Sequence, residues 1–421
     1  MDRFEIEGGV KLKGTVAAGG SKNAALPILI ATLLTDETCV ISNAPALRDI
    51  LTTVRLLESI GKTVKFSAGN VTVSAGKKLS TSAPYELVKQ MRASVLVAGP
   101  LLARFKKASV PLPGGCAIGL RPVDIHIRGF QCLGANAQTV RGDLVFTAKK
   151  LSGTTMRLGF PSVGATQNIL MCACLVKGKT LIENAALEPE IDDLINFLNA
   201  CGAKARRLES GAVSVEGVAS LHGATYSVMP DRIEAGTYLL AGAITGGAVT
   251  VTGCVPEHFR ALTEVLAACG CGVKISGGSA TVKAAKHLLP CAVDTAPYPA
   301  FPTDLQAPLM ALACVAGGTS RIKESIFENR FMHAPELARM GALIAVDKNV
   351  ALVEGVKKLS GACVMASDLR GGAALVLAAL AAKGASVVDR VYHIDRGYER
   401  MEKRLSDLGA KIKRTNPSAQ G

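Results

Sequence analysis

The sequence predicts an α/β protein of two domains, each built from three repeated units, and three observations predict it. The chain has 421 residues, more than one ordinary core organises. A Leu-rich helical stretch closed by Gly recurs six times, at a spacing of roughly 70 residues. A strand-like alternation follows, so helix and strand alternate along the chain.

The six helix ends read LLESIGKTV, FQCLGANAQ, FLNACGAKA, VLAACGCGV, LARMGALIA and LSDLGAKIK, with glycines at Gly61, Gly134, Gly202, Gly270, Gly341 and Gly409. A glycine closing a helix enters the left-handed conformation without a Cβ clash. An alternating strand comes next in five copies: VTVSAGKKL, LVFTAKKL, VSVEGVASL, ATVKAAKHL and ALVEGVKKL. The sixth copy lacks it, and the start of the chain, FEIEGGVKLKG from Phe4 to Gly14, supplies a match. The first strand is therefore expected to complete the last repeat. Each repeat opens with a helix of small apolar residues, as in NAALPILIATLL, NILMCACLV and GAALVLAAL. The Gly19–Gly20 pair and the Met229–Pro230 region read as two crossings between domains. The expected domains are residues 22–229, and residues 1–21 with 230–421.

Hydrophobic residues make up 49% of the chain and aromatics 4%, with no Trp, so small side chains must build the interior. No apolar run reaches the ~18–20 residues of a membrane span. The start MDRFEIEGGV lacks the pattern of a signal peptide, and a cytoplasmic location is expected. The 12 cysteines form no Cys-x-x-Cys pair, and most lie in apolar runs, as Cys172, Cys174 and Cys314 do. They read as small buried hydrophobes in a reduced compartment rather than a disulfide framework. A net charge of +14 suits a polyanionic small substrate. The lack of a basic run and the scarcity of aromatics argue against nucleic acid. No Cys–His cluster has zinc spacing and no phosphate-binding Walker loop occurs, so no metal and no cofactor are expected.

Several segments carry chemistry. In PLPGGCAIGLRPVDIH, Pro and Gly surround Cys116, which marks a lid-like loop, and Arg121 five residues on favours its thiolate. GGSKNAALP sets Lys22 and Asn23 just before a helix, where anions bind. FPTDLQAP sets Asp304 in a Pro-flanked turn, either as a helix cap or as a proton acceptor. Arg330 in IFENRFMH, Asp368 and Arg370 in SDLRGGAA, and Arg396 at the start of a helix in DRGYERMEKRL are polar clusters between apolar stretches. Arginines at repeat-equivalent helix starts suggest a converging anion site.

Together, GSKNAALP, MRAS, LPGGCAIGLRPVDIH, PSVGAT, FPTDLQA, IFENRFMH, SDLRGGA and HIDRGYERME, in this order, resemble the enolpyruvyl transferase family in its UDP-N-acetylglucosamine branch. The resemblance runs over essentially the whole chain. It implies an inside-out α/β barrel in each of two domains of three βαβαββ-like units, with the active site in the cleft between them. It implies transfer of the enolpyruvyl group of phosphoenolpyruvate to the 3-hydroxyl of UDP-N-acetylglucosamine, at the entry to peptidoglycan synthesis.

By that resemblance Lys22, Asn23, Arg121, Arg370 and Arg396 bind phosphoenolpyruvate. Asn23, Arg92, Arg121, Pro122, Val123, Asp124, Ile125, Ser162, Val163, Asp304 and Ile326 bind the sugar nucleotide. Cys116 is the catalytic cysteine, able to form a covalent adduct with phosphoenolpyruvate and to be alkylated by fosfomycin. Asp304, Lys22 and Arg396 complete the catalytic set, with Arg330 and Asp368 in support. Some members carry Lys where this chain has Phe160, so one phosphate contact is absent; some carry Trp where it has Leu96, which reads as a packing swap. Rival expectations are a catalytically silent regulatory paralogue, or transfer of the same group to shikimate 3-phosphate.

Overall fold

A computed structural model describes residues 2–112 and 123–416. Contacts divide the described chain into two compact units, residues 2–19 with 230–416, and residues 20–112 with 123–229.

The first of these units contains three four-stranded sheets of one design. In one, Ala292–Asp294 runs parallel to Thr319–Lys323, which pairs antiparallel with Val350–Glu354, and that strand pairs antiparallel with Leu343–Asp347. The helices Gln306–Ala313 and Ala334–Arg339 connect these strands, so the repeat reads βαβαββ. A second sheet uses Lys13–Ala17, Ala248–Thr252, Ser279–Lys283 and Gly272–Ser276 in the same order. The third uses Cys363–Met365, Ala385–Asp389, Arg3–Glu7 and Lys411–Thr415. Here Phe4 faces Val388 on one side and Arg414 on the other. The first strand thus completes the last repeat, as the sequence pattern predicts.

The second unit repeats the design. Two four-stranded sheets are present, together with a three-stranded sheet of Lys107–Pro111, Asp143–Thr147 and Asn136–Val140. At the place of the fourth strand of that sheet, Ser82 and Ser109 form a single parallel bridge.

Within each unit the helices lie inside and the sheets outside. All 13 residues of Arg232–Ile244 are buried, as are Arg370–Leu380 in the helix Leu369–Ala381 and every residue of Gln306–Ala313. These three helices pack on one another. In the other unit, Ala98–Phe105 packs on Val163–Ala173. Their approach is close: a Cβ on Gly99 would stand 2.4 Å from the Asn168 carbonyl oxygen. Strands alternate buried and less buried positions, as Ala248–Thr252 does, and present one face to these helices. Eight of the eleven described cysteines are buried, and Cys132 and Cys363 are exposed.

The six repeat glycines all have positive φ, from 87° at Gly270 to 118° at Gly61. After each, the next N–H turns back to a carbonyl five residues earlier, as Lys62 does to Leu57 at 3.0 Å and Ala342 to Leu337 at 3.2 Å. This ring satisfies carbonyls that the helix leaves open and aims the chain into the next strand.

Two glycines separate conformation from space. At Gly341, φ is +88° and a Cβ would meet nothing within 4 Å. At Gly355, a Cβ would stand 1.5 Å from the Ala316 carbonyl oxygen. Gly341→Ala is expected to lose about 1–2 kcal/mol, the cost of left-handed backbone alone. Gly355→Ala is expected to lose more than twice that, because backbone must move. Denaturant unfolding of both variants measures the difference.

Candidate active site

In the unit holding residues 20–112 and 123–229, Ser21 begins the construction. Its Oγ accepts from the Ala24 N–H at 3.3 Å and caps the helix Lys22–Ala31. Lys22 and Asn23 are thus the first two residues of the helix, not a turn before it. The N–H groups and the dipole of that helix end favour anions, and Lys22 adds a full charge. The Lys22 Nζ lies 3.4 Å from Asp49 Oδ2, and both side chains are largely buried. Asp49 belongs to the helix Arg48–Ile60, and an acidic residue in a first helical turn carries no sequence signal of its own.

Two more helix starts meet in this unit. Val123 precedes the helix Asp124–Cys132, in which Asp124 and Ile125 come first. Ser162 caps Val163–Ala173, its Oγ accepting from the Ala165 N–H at 3.3 Å. The buried Asn168 joins the two: its Nδ2 donates to His126 Nδ1 at 3.0 Å and to the Val95 carbonyl at 3.1 Å. Its Oδ1 accepts from the Gly99 N–H at 2.7 Å. Asn168 therefore also ties in the segment Arg92–Val97, which Arg92 opens. Phe160 is exposed. Cys116, Arg121 and Pro122 lie outside the described residues.

In the other unit the turn Thr303–Leu305 carries Asp304. The Arg330 Nη2 donates to one Asp304 oxygen and the Arg370 Nη2 to the other, each at 2.9 Å. Both arginine side chains are buried, while the carboxylate keeps 27% of its surface exposed. Asp304 is thus no helix cap. The two arginines converge on an anion of the protein itself, because burying two guanidinium groups requires a counter-charge. Burial opposes the charge of Arg370, yet the Asp304 carboxylate and Tyr398 hold its pKa above the ordinary guanidinium value. The Arg370 guanidinium also lies 5.3 Å from the Tyr398 ring. The buried Arg330 Nε, Arg370 Nε and Arg370 Nη1 make no hydrogen bond among the described residues.

Asp368 caps the helix that carries Arg370, its Oδ1 accepting from the N–H groups of Arg370 and Gly371 at 3.0 and 3.1 Å. Arg396 closes the short 3-10 helix Val391–Arg396, rather than opening a helix, because the following α-helix starts only at Met401. Ile326 is half-buried, its N–H donating to the buried Glu324 carboxylate at 2.8 Å. A cavity of about 640 Å³ lined by Asp36, Glu37, Thr38 and Thr225 contains none of the predicted site residues. Among the described residues, no group of three or more His, Cys, Asp or Glu side chains could hold a metal ion. Among them, too, no helix is long and apolar enough to cross a membrane.

Repeated α/β units with helices inside and sheets outside are the architecture of the enolpyruvyl transferases. The family model for EPSP synthase (3-phosphoshikimate 1-carboxyvinyltransferase) matches residues 6–405. A UDP-N-acetylglucosamine 1-carboxyvinyltransferase of Elusimicrobium minutum is 57% identical over 99% of both chains. One from Lawsonia intracellularis is 51% identical over 99% of this chain and all of its own. The crystal structure of the enolpyruvyl transferase NikO from Streptomyces tendae superposes with a TM-score of 0.87 at 25% identity, covering 98% of this chain and 99% of its own. An EPSP synthase of Acinetobacter baumannii shares the fold, with a TM-score of 0.75 at 19% identity over 99% of this chain and all of its own. The chain belongs to the EPSP synthase family of enolpyruvyl transferases, and within it to the UDP-N-acetylglucosamine 1-carboxyvinyltransferases.

The burial of His126 sets a pH dependence. Burial, opposed by nearby Asp124, pushes the His126 pKa down to about 4. The unfolded chain therefore binds a proton near pH 6.5 that the folded chain refuses until about pH 4. Stability is full above pH 6.5 and falls as the pH drops toward 4, by on the order of 3 kcal/mol from this group. His126→Gln, which still accepts from Asn168, is expected to flatten that slope in calorimetric melts from pH 7 to 4.

Proposed function

We propose that this protein transfers the enolpyruvyl group of phosphoenolpyruvate to the 3-hydroxyl of UDP-N-acetylglucosamine and releases phosphate. This is the first committed step of peptidoglycan synthesis, and we place it in the cytoplasm. The observation that carries the reading is 57% identity to a UDP-N-acetylglucosamine 1-carboxyvinyltransferase across 99% of both chains. The orientation of Asp304 by two buried arginines supports it.

Asp304 accepts the proton of the sugar 3-hydroxyl as its oxygen attacks C2 of phosphoenolpyruvate. Cys116 delivers a proton to C3, giving a tetrahedral adduct. Loss of a C3 proton and cleavage of the C2–O bond to phosphate restore the double bond. Lys22, Arg121, Arg370 and Arg396 hold the phosphate and carboxylate charges through both steps, and such fixed charge commonly supplies the largest share of catalysis. Asn23 touches both substrates. The helix starts at Val123, Asp124, Ile125, Ser162 and Val163, with Arg92 and Pro122, hold the nucleotide. Ile326 packs against the sugar, while Arg330 and Asp368 keep Asp304 and Arg370 in place. Phe160 offers the nucleotide no charge.

Phosphate release from phosphoenolpyruvate is expected to require UDP-N-acetylglucosamine and to ignore shikimate 3-phosphate. Fosfomycin is expected to abolish it, and Cys116→Ala to lower it at least about a hundredfold. Wild-type protein that is folded, binds UDP-N-acetylglucosamine and releases no phosphate is a silent paralogue, and sinks the proposal.

Asp304→Asn tests the base directly. It keeps the size of the side chain, and kcat is expected to fall at least about a hundredfold. Its melting temperature is expected to fall as well, because two buried guanidinium groups lose their counter-charge. Steady-state kinetics beside a melting curve separates the two effects.

A further inference from the structure

Glu324 follows the strand Thr319–Lys323 and keeps only 2% of its surface exposed. A buried carboxylate persists only when its oxygens are satisfied. Four donors do this. Oε1 accepts from the Thr295 hydroxyl at 2.9 Å, the Ile326 N–H at 2.8 Å and the Phe327 N–H at 3.2 Å. Oε2 accepts from the Thr303 hydroxyl at 2.8 Å. No arginine or lysine pairs with it among the described residues at salt-bridge distance, so its partners are the ends of loops.

Those loops bear on one point. Thr303 and Asp304 are neighbours in the three-residue turn Thr303–Leu305, so a bond that fixes Thr303 also fixes the direction of Asp304. Phe327 lies beneath the Arg330 guanidinium, 5.6 Å from its ring centre, and Arg330 grips one Asp304 oxygen. Thr295 closes the frame by accepting from the Ser325 N–H at 2.9 Å. One carboxylate therefore holds the turn that carries Asp304, the loop that leads to its arginine, and Ile326.

We infer that Glu324 is a positioning residue for Asp304, acting through Thr303 on the base and through the Ile326–Phe327 backbone on the sugar subsite. The inference rests on the function proposed above. Its logic is geometric: an oxygen that must take a proton from a substrate hydroxyl works only within a narrow range of distance and angle. A turn of three residues without a side-chain anchor does not hold that range.

The test compares Thr303→Val, Thr303→Ser, Glu324→Ala and wild type in acceptor-dependent phosphate release. Thr303→Val cuts only the arm to the Asp304 turn. Its kcat is expected to fall about tenfold, with an unchanged KM for phosphoenolpyruvate. Thr303→Ser keeps the hydroxyl and is expected to stay within about twofold of wild type. Glu324→Ala cuts both arms, so it is expected to lose more kcat and also to raise KM for UDP-N-acetylglucosamine. Should Glu324→Ala fail to fold, the Thr303 pair still decides. Wild-type kcat in folded Thr303→Val, or equal losses in the Val and Ser variants, overturns the inference while leaving the function intact. Wild-type protein without transfer overturns the function, and the inference with it.

Discussion

Everything in this molecule follows from burying helices on all sides. A helix with no exposed face cannot be amphipathic, and it approaches its neighbours closely only if its side chains are small. Leu369–Ala381 reads LRGGAALVLAALA, and Gly99 touches the Asn168 backbone where two such helices meet. Small residues in the middle leave little area per residue to bury, so the sheets must close the core from outside. Their one-sided alternation is the answer to that demand.

The same constraint decides where chemistry can stand. A helix with a sealed body offers only its ends, and there the backbone presents unsatisfied N–H groups. Lys22 and Asn23, Asp124, Val163 and Arg370 all occupy first turns. Their caps, Ser21, Ser162 and Asp368, neutralise some of those groups and leave the dipole aimed outward. Where buried guanidinium groups stand at such an end or in a nearby turn, opposite charge must balance them. Asp304 supplies it for both Arg330 and Arg370.

Local features were legible in the sequence, and assembled ones were not. The six glycines announced six helix ends because left-handed backbone admits few other residues there. The match of the chain start to the missing strand placed Arg3–Glu7 in the last sheet. Three-residue strands such as Thr155–Arg157 and Thr225–Ser227 were too short to carry a period. Asp304 could be read as a cap or an acceptor from its turn alone, and only Arg330, 26 positions on, and Arg370, 66 on, separate the two. Glu324, Asp49 and Asn168 gave no signal, because each draws its meaning wholly or in part from partners distant along the chain.

The split of the last repeat between the two ends of the chain gives synthesis a direction. On the ribosome, residues 20–112 and 123–229 emerge before the second half of the other unit, and Thr225–Ser227 then lies beside Cys39–Ser42. Residues 2–19, ahead of them, cannot settle so soon. Lys13–Ala17 waits for Ala248–Thr252, and Arg3–Glu7 waits for Ala385–Asp389 and Lys411–Thr415. The strand Arg3–Glu7 is thus made before its partners and is among the last to be paired. A nascent chain holds these two strands in reserve, and synthesis halted after residue 229 leaves them without their sheets.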